Sequence, residues 1–118
     1  KSGEGLALET TAKCYAMQQD FQKGLQAAKD AVAVFAGLKD SAKEGAGLCL
    51  VSEMQVGLDS PDEGLQTAKD AMAKGQEASN KDLQVSAVDA MVAACLKKQD
   101  PEEAVNAVQF ALDRFKRS

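Results

Sequence analysis

Gly24-Leu25-Gln26-Ala27-Ala28-Lys29-Asp30-Ala31 returns forty residues on as Gly64-Leu65-Gln66-Thr67-Ala68-Lys69-Asp70-Ala71, identical but for Thr67. A more diverged copy, Ala104-Val105-Asn106-Ala107-Val108-Gln109-Phe110-Ala111, stands at the same spacing. Self-similarity at a fixed period of roughly 20 to 50 residues is the trace of a stacked repeat. Each unit is too small to bury its own apolar face, and the copies shelter one another. Aligned without gaps at a period of 40, the copies run 5–44, 45–84 and 85–118, a single repeat domain without a linker.

Polar breaks fall at Asp20, Ser60 and Asp100, and Pro61 and Pro101 follow two of them. A Ser or Asp cap accepts an otherwise unpaired backbone N–H, and proline is pre-shaped for the first helical position. Glu63 and Glu103, three residues past their caps, complete a capping-box pattern that the first copy lacks, having Phe21 and Lys23 there. Each copy therefore divides into a helix before the break and a helix after it. Apolar residues recur every three to four positions: Phe21, Leu25, Ala28, Val32 and Phe35 in one second helix, Val105, Val108, Leu112 and Phe115 in another. The first helices carry Leu8, Ala12 and Tyr15, then Leu48, Val51 and Val56, then Val88, Met91, Cys95 and Leu96. Nothing alternates as a strand would. Asp40 and Asn80 are expected to cap the next first helices, and Gly37 and Gly75 to end the preceding second ones. The fold class expected is all-α, with three antiparallel helical hairpins stacked as a right-handed α-solenoid.

Gly45, Gly47, Gly57 and Gly64 fall inside these helices, where each costs about 1 kcal/mol relative to Ala. The middle copy should therefore be the loosest unit unless its neighbours clamp it.

Composition narrows the function. With 45% hydrophobic residues but no Trp, the chain suits close-packed helices with small side chains at their contacts. The net charge of −4 and the lack of a polybasic cluster, beyond Arg114, Lys116 and Arg117 in the tail, disfavour nucleic acid as a partner. Favourable charge at a helix C-terminus, with Phe115 inward, is the simpler reading of that tail. No apolar run reaches the roughly 18 residues of a membrane span, so direct membrane insertion is not expected. Cys14, Cys49 and Cys95 are odd in number and widely spaced, which points to an intracellular, reducing compartment rather than a disulfide framework. Beginning at Lys1 without Met or a signal-like segment, the chain reads as part of a longer or processed protein.

At its helix breaks the sequence resembles the tetratricopeptide repeat, most closely at Asp100-Pro101-Glu102-Glu103-Ala104-Val105. That family has a small residue early in the second helix, matched by Gly24, Gly64 and Ala104, and another seven positions on, matched by Ala31, Ala71 and Ala111. Leu8, Leu48 and Val88 replace its opening aromatic, Tyr15 alone keeps its tyrosine, and its closing proline is absent. A period of 40 against the family's usual value of about 34 resembles the long-helix variants of the kinesin light chain type. A HEAT-like or other two-helix solenoid would share much of this pattern.

Candidate chemistry is sparse. Without histidine the commonest general base and metal ligand is missing, and the three cysteines make no metal-spaced pair. Neither an enzyme nor a cofactor is expected. Cys14 and Cys95 fall on apolar faces and read as small core residues, whereas Cys49 is expected to face the groove. Asp62/Glu63 and Glu102/Glu103 sit in first turns, where carboxylates offset the helix dipole. Lys29-Asp30 and Lys69-Asp70 read as a solvated face.

The family resemblance implies a concave groove lined by the first helices and receiving a peptide or helix from a protein partner. Carried over by position, its groove residues are Glu9, Lys13 and Ala16; Cys49, Glu53 and Val56; and Asp89, Ala93, Leu96 and Lys97. Members that hold a partner's C-terminal carboxylate have Lys and Asn there. Glu9, Glu53 and Asp89 stand here instead, which suits a mixed or basic amphipathic segment. The expected function is a non-catalytic protein–protein interaction module. The alternatives are a structural subunit of a large assembly held by its outer faces, or a small-molecule or thiol-dependent role around Cys49. The apolar face of the last helix implies sealing by a neighbour or by further repeats.

Overall fold

A computed structural model describes residues 2–117, with side chains over residues 3–113. Six helices account for almost all of it: α1 Ser2–Met17, α2 Phe21–Gly37, α3 Ser41–Gly57, α4 Pro61–Glu77, α5 Lys81–Lys97 and α6 Pro101–Arg117. The connections are three residues each, too short for anything but antiparallel neighbours, so α1/α2, α3/α4 and α5/α6 form hairpins. The aligned blocks 45–84 and 85–118 begin one turn inside α3 and α5 rather than at their caps. The side chains of Arg114, Phe115, Lys116 and Arg117 lie outside the described ones.

All five connections are the same device. Asp20 N–H donates to Tyr15 O at 2.9 Å and Gln19 N–H to Ala16 O at 3.0 Å, and equivalent pairs recur at Asp40/Lys39, Ser60/Asp59, Asn80/Ser79 and Asp100/Gln99. This is the Schellman termination, in which one residue must turn left-handed. That residue is Gln19, Lys39, Asp59, Ser79 or Gln99, with φ between 52° and 66°, and never glycine. Gly37 ends α2 as expected, as its last helical residue, whereas Gly75 lies within α4 and does not end it; neither glycine is left-handed. A Cβ at left-handed φ is strained where glycine is not. Gln99→Gly is therefore expected to stabilise the fold by about 0.5–1 kcal/mol, net of glycine's greater freedom in the unfolded chain. A urea midpoint that rises at unchanged slope would record it.

The residue after each left-handed one caps the next helix. Asp20, Asp40, Asn80 and Asp100 accept from the N–H three positions on, at 3.0–3.3 Å. Ser60 makes no side-chain cap bond, leaving Pro61 as the start signal of α4. The capping boxes do not close. The N–H groups of Ser60 and Asp100 are already donated to Gln55 O and Cys95 O, and Glu103 Oε1 lies 2.6 Å from Lys98 Nζ.

Small residues set the helix spacing. Gly24, Gly64 and Ala104 occupy the fourth position of α2, α4 and α6. A Cβ on Gly24 would stand 2.8 Å from Met54 Sδ, and one on Gly64 2.8 Å from Val56 Cγ2 and 3.2 Å from Ser52 O. Ser52 Oγ donates to Gly64 O at 2.7 Å across the same contact. Ala31, Ala71 and Ala111, one heptad on, are buried. The middle hairpin is clamped from both sides: Gly47 and Gly57 lie beneath Val32 and Phe21 of α2, and Gly45 beneath Leu83 of α5. Its glycines are contact points, not slack.

The backbone of α3 runs close to both α1 and α5, whereas among the described residues the backbones of α2, α4 and α6 stay apart. The odd helices thus form a close inner row and the even ones splay outward, within a slab of 37 × 31 × 17 Å. One core cluster joins Ala12, Ala28, Leu50 and Val51; the other joins Leu65, Met72, Met91, Cys95 and Ala107.

Candidate partner-binding face

The inner row carries the positions expected to line a groove. Positions 9, 13 and 16 of α1 recur at forty-residue offsets as 49, 53 and 56 of α3 and 89, 93 and 96 of α5. Their i, i+4, i+7 spacing puts each set on one helix face. Between α3 and α5 a depression of about 480 Å³ is lined by Cys49, Ser52, Glu53, Val56, Ser86, Asp89, Ala90 and Ala93. Between α1 and α3 a second, of about 270 Å³, is lined by Lys13, Ala16, Met17, Leu50 and Glu53. Glu53 belongs to both, so the two depressions adjoin across α3.

Glu9, Leu96 and Lys97 line neither depression. Glu9 sits beside Lys13 on its own helix, at 3.8 Å, and Leu96 is 59% exposed near the end of α5. Leu50, Ser52, Ser86, Ala90 and Met17 join the lining because they lie where adjacent first helices meet. The repeat itself held a signal for one pair, since Leu50 and Ala90 are equivalent positions.

The wider depression is small-residued and acidic. Its carboxylates, Glu53 and Asp89, can accept from a cationic side chain or a backbone N–H, while Val56, Ala90 and Ala93 offer apolar contact. Burial, with the Glu53 carboxylate beside it, pushes the Cys49 thiol up to about 11. The thiolate is the reactive form, so at neutral pH this cysteine is held in its inert state. Cys95 is buried as expected, and burial raises its pKa too. Cys14 is exposed, against the expectation of a core place. Its equivalents Met54 and Ala94 are fully buried, so the apolar face is real, but the described residues leave it open on α1.

Elsewhere the charges serve structure. Lys98, in the α5–α6 connection, lies 2.7 Å from Asp62 and 2.6 Å from Glu103. Hydrogen bonds to those carboxylates, Asp62 first, hold its pKa well above the ordinary lysine value. Lys29, Asp30, Lys69 and Asp70 are all exposed, as expected of a solvated face. Among the described residues no helix is long and apolar enough to cross a membrane.

Paired helices with the first member of each pair lining one face define a tetratricopeptide-like helical solenoid. The crystal structure of the tetratricopeptide-repeat domain of Arabidopsis FLU superposes with a TM-score of 0.83 over 98% of this chain and 98% of that one, at 18% sequence identity. The likeness is one of fold. No family profile matches the chain, and no curated protein matches it in sequence.

Proposed function

We propose that this chain is a non-catalytic protein–protein interaction module, a long-period tetratricopeptide-like array of the units 5–44, 45–84 and 85–118. Its concave face receives a basic or mixed amphipathic segment of a protein partner. The observation that carries this reading is the pair of depressions joined at Glu53, acidic at Glu53 and Asp89 and apolar at Val56, Ala90 and Ala93. A cationic side chain set between those carboxylates and an apolar one against the alanines would use both halves of the surface. Acidic C-termini would meet like charge. The inert thiol of Cys49 speaks for contact rather than catalysis. The unpaired cysteines support a reducing compartment.

The test is a fluorescence-anisotropy titration with a panel of amphipathic helical peptides, lysine-rich against glutamate-rich of equal apolar content. Lysine-rich peptides are expected to bind, with Glu53→Lys and Asp89→Lys each weakening them about tenfold, or about 1.4 kcal/mol. Asp30→Lys on the outer face should change little. Equal binding of both peptide classes, or indifference to Glu53→Lys, would overturn the reading.

A further inference from the structure

The outer face of α6 is apolar and open where its equivalents are covered. Val105, Val108 and Leu112 are 66%, 36% and 46% exposed, whereas Leu65, Ala68 and Met72, at the same places in α4, are 7%, 0% and 1% exposed. With Val92, Ala104 and Gln109, Val105 and Val108 line an open depression of about 270 Å³. At the opposite end α1 has the reverse deficit. Ala7, Thr11 and Cys14 are exposed, while Gly47, Val51 and Met54 in α3 and Ala87, Met91 and Ala94 in α5 are buried.

The chain itself twice shows what joins such faces. Val32 of α2 lies over Gly47, and a Cβ on Gly24 would stand 2.8 Å from the sulfur of Met54. Met72 of α4 belongs to one cluster with Ala87 and Met91 of α5. In that register Leu112 meets Ala7, and Cys14 takes the place of Met54 beside Ala104. No charge lies on either stripe: Val105, Val108, Gln109 and Leu112 on one side, Gly3, Ala7, Thr11 and Cys14 on the other. Glu4 flanks the α1 stripe, at the place that the half-buried Glu44 takes in α3.

We infer that the outer face of α6 docks onto the outer face of α1 in a second copy of this chain, head to tail, in the register of the internal junctions. Such an interface is heterologous and does not close on itself, so assembly is open-ended and grows with concentration. It uses the ends of the stack and leaves the concave face free.

Sedimentation velocity and light scattering over a wide concentration range test this, with Val105→Glu and Ala7→Glu as variants. Both positions are exposed, and circular dichroism confirms that each variant stays helical. The unaltered chain should show an average mass that climbs above 12.4 kDa with concentration. Each variant alone should stay at the mass of one chain. An equimolar mixture should form a pair of twice that mass and stop, because one variant retains a working α1 face and the other a working α6 face. Two results overturn the inference. A chain that remains at 12.4 kDa throughout leaves the α6 face to a different protein. Association of Ala7→Glu alone, with no gain on mixing, means that α6 pairs symmetrically with α6.

Discussion

Phe35→Ala should cost about 3–5 kcal/mol and lower the unfolding temperature by roughly 10–20 °C in calorimetry or thermal circular dichroism. Phe35 is the largest of the fully buried side chains. Its ring lies so close to α1 that a Cβ on Gly5 would fall 2.6 Å from Cζ, and Lys43 Nζ sits 5.8 Å from the ring centre. The second hairpin fills the equivalent space differently. Gly75 stands at Phe35's place and Leu83 at Lys43's, and Leu83 lies against the Cβ positions of both Gly45 and Gly75. The filling side chain switches helix. Phe35 therefore has no understudy, and its removal leaves a cavity that Gly5 cannot fill. Because solenoid units depend mainly on their neighbours, the loss should concentrate in α1 and α2. Hydrogen exchange should show those helices opening while α4 and α5 stay protected. Uniform loss of protection across all six helices would contradict that localisation.

Gly64→Val is expected to destabilise by about 3 kcal/mol, read as a lowered urea midpoint. The first added carbon already meets Val56 Cγ2 at 2.8 Å and Ser52 O at 3.2 Å, and the second of these is backbone that cannot rotate away. The remaining methyls force α3 and α4 apart and strain the bond from Ser52 Oγ to Gly64 O. Val56 and Ser52 also line the depression between α3 and α5, so peptide binding should weaken as well. Gly37→Ala is the control: nothing lies within 4 Å of its Cβ position, and the gain in helix propensity should stabilise by about 0.5–1 kcal/mol. A neutral Gly64→Val would mean that the hairpin tolerates wider spacing than its glycine implies.

The helices were legible because two codes agreed. The caps at Asp20, Asp40, Asn80 and Asp100 mark starts, and the forty-residue offset places each second helix in the same frame. What was lost depends on neighbours. The second helices concentrate apolar residues on one side, as a helix packed from one side must. The first helices are pressed on several sides, so periodicity alone does not say which flank is open. Leu96 read as groove but lies past the depression, and Ser52, outside the groove positions, lines it. Cys14 was placed inside for the same reason: its face is apolar, and only a preceding hairpin could bury it. Gly75 illustrates the opposite error, in which a residue that looks like punctuation makes room for Gln84. The left-handed positions could not be found by seeking glycine, because Gln, Lys, Asp and Ser occupy them.

Those five connections have a consequence for how the molecule is handled in a cell. With three residues between successive helices, and each of those bonded backward to one helix or capping the next, no link presents the slack, extended strand that a protease must thread through its cleft. Cleavage must wait for a whole hairpin to come loose. The lifetime of these six helices is then governed by the weakest of their stacked pairs, rather than by a loop between them.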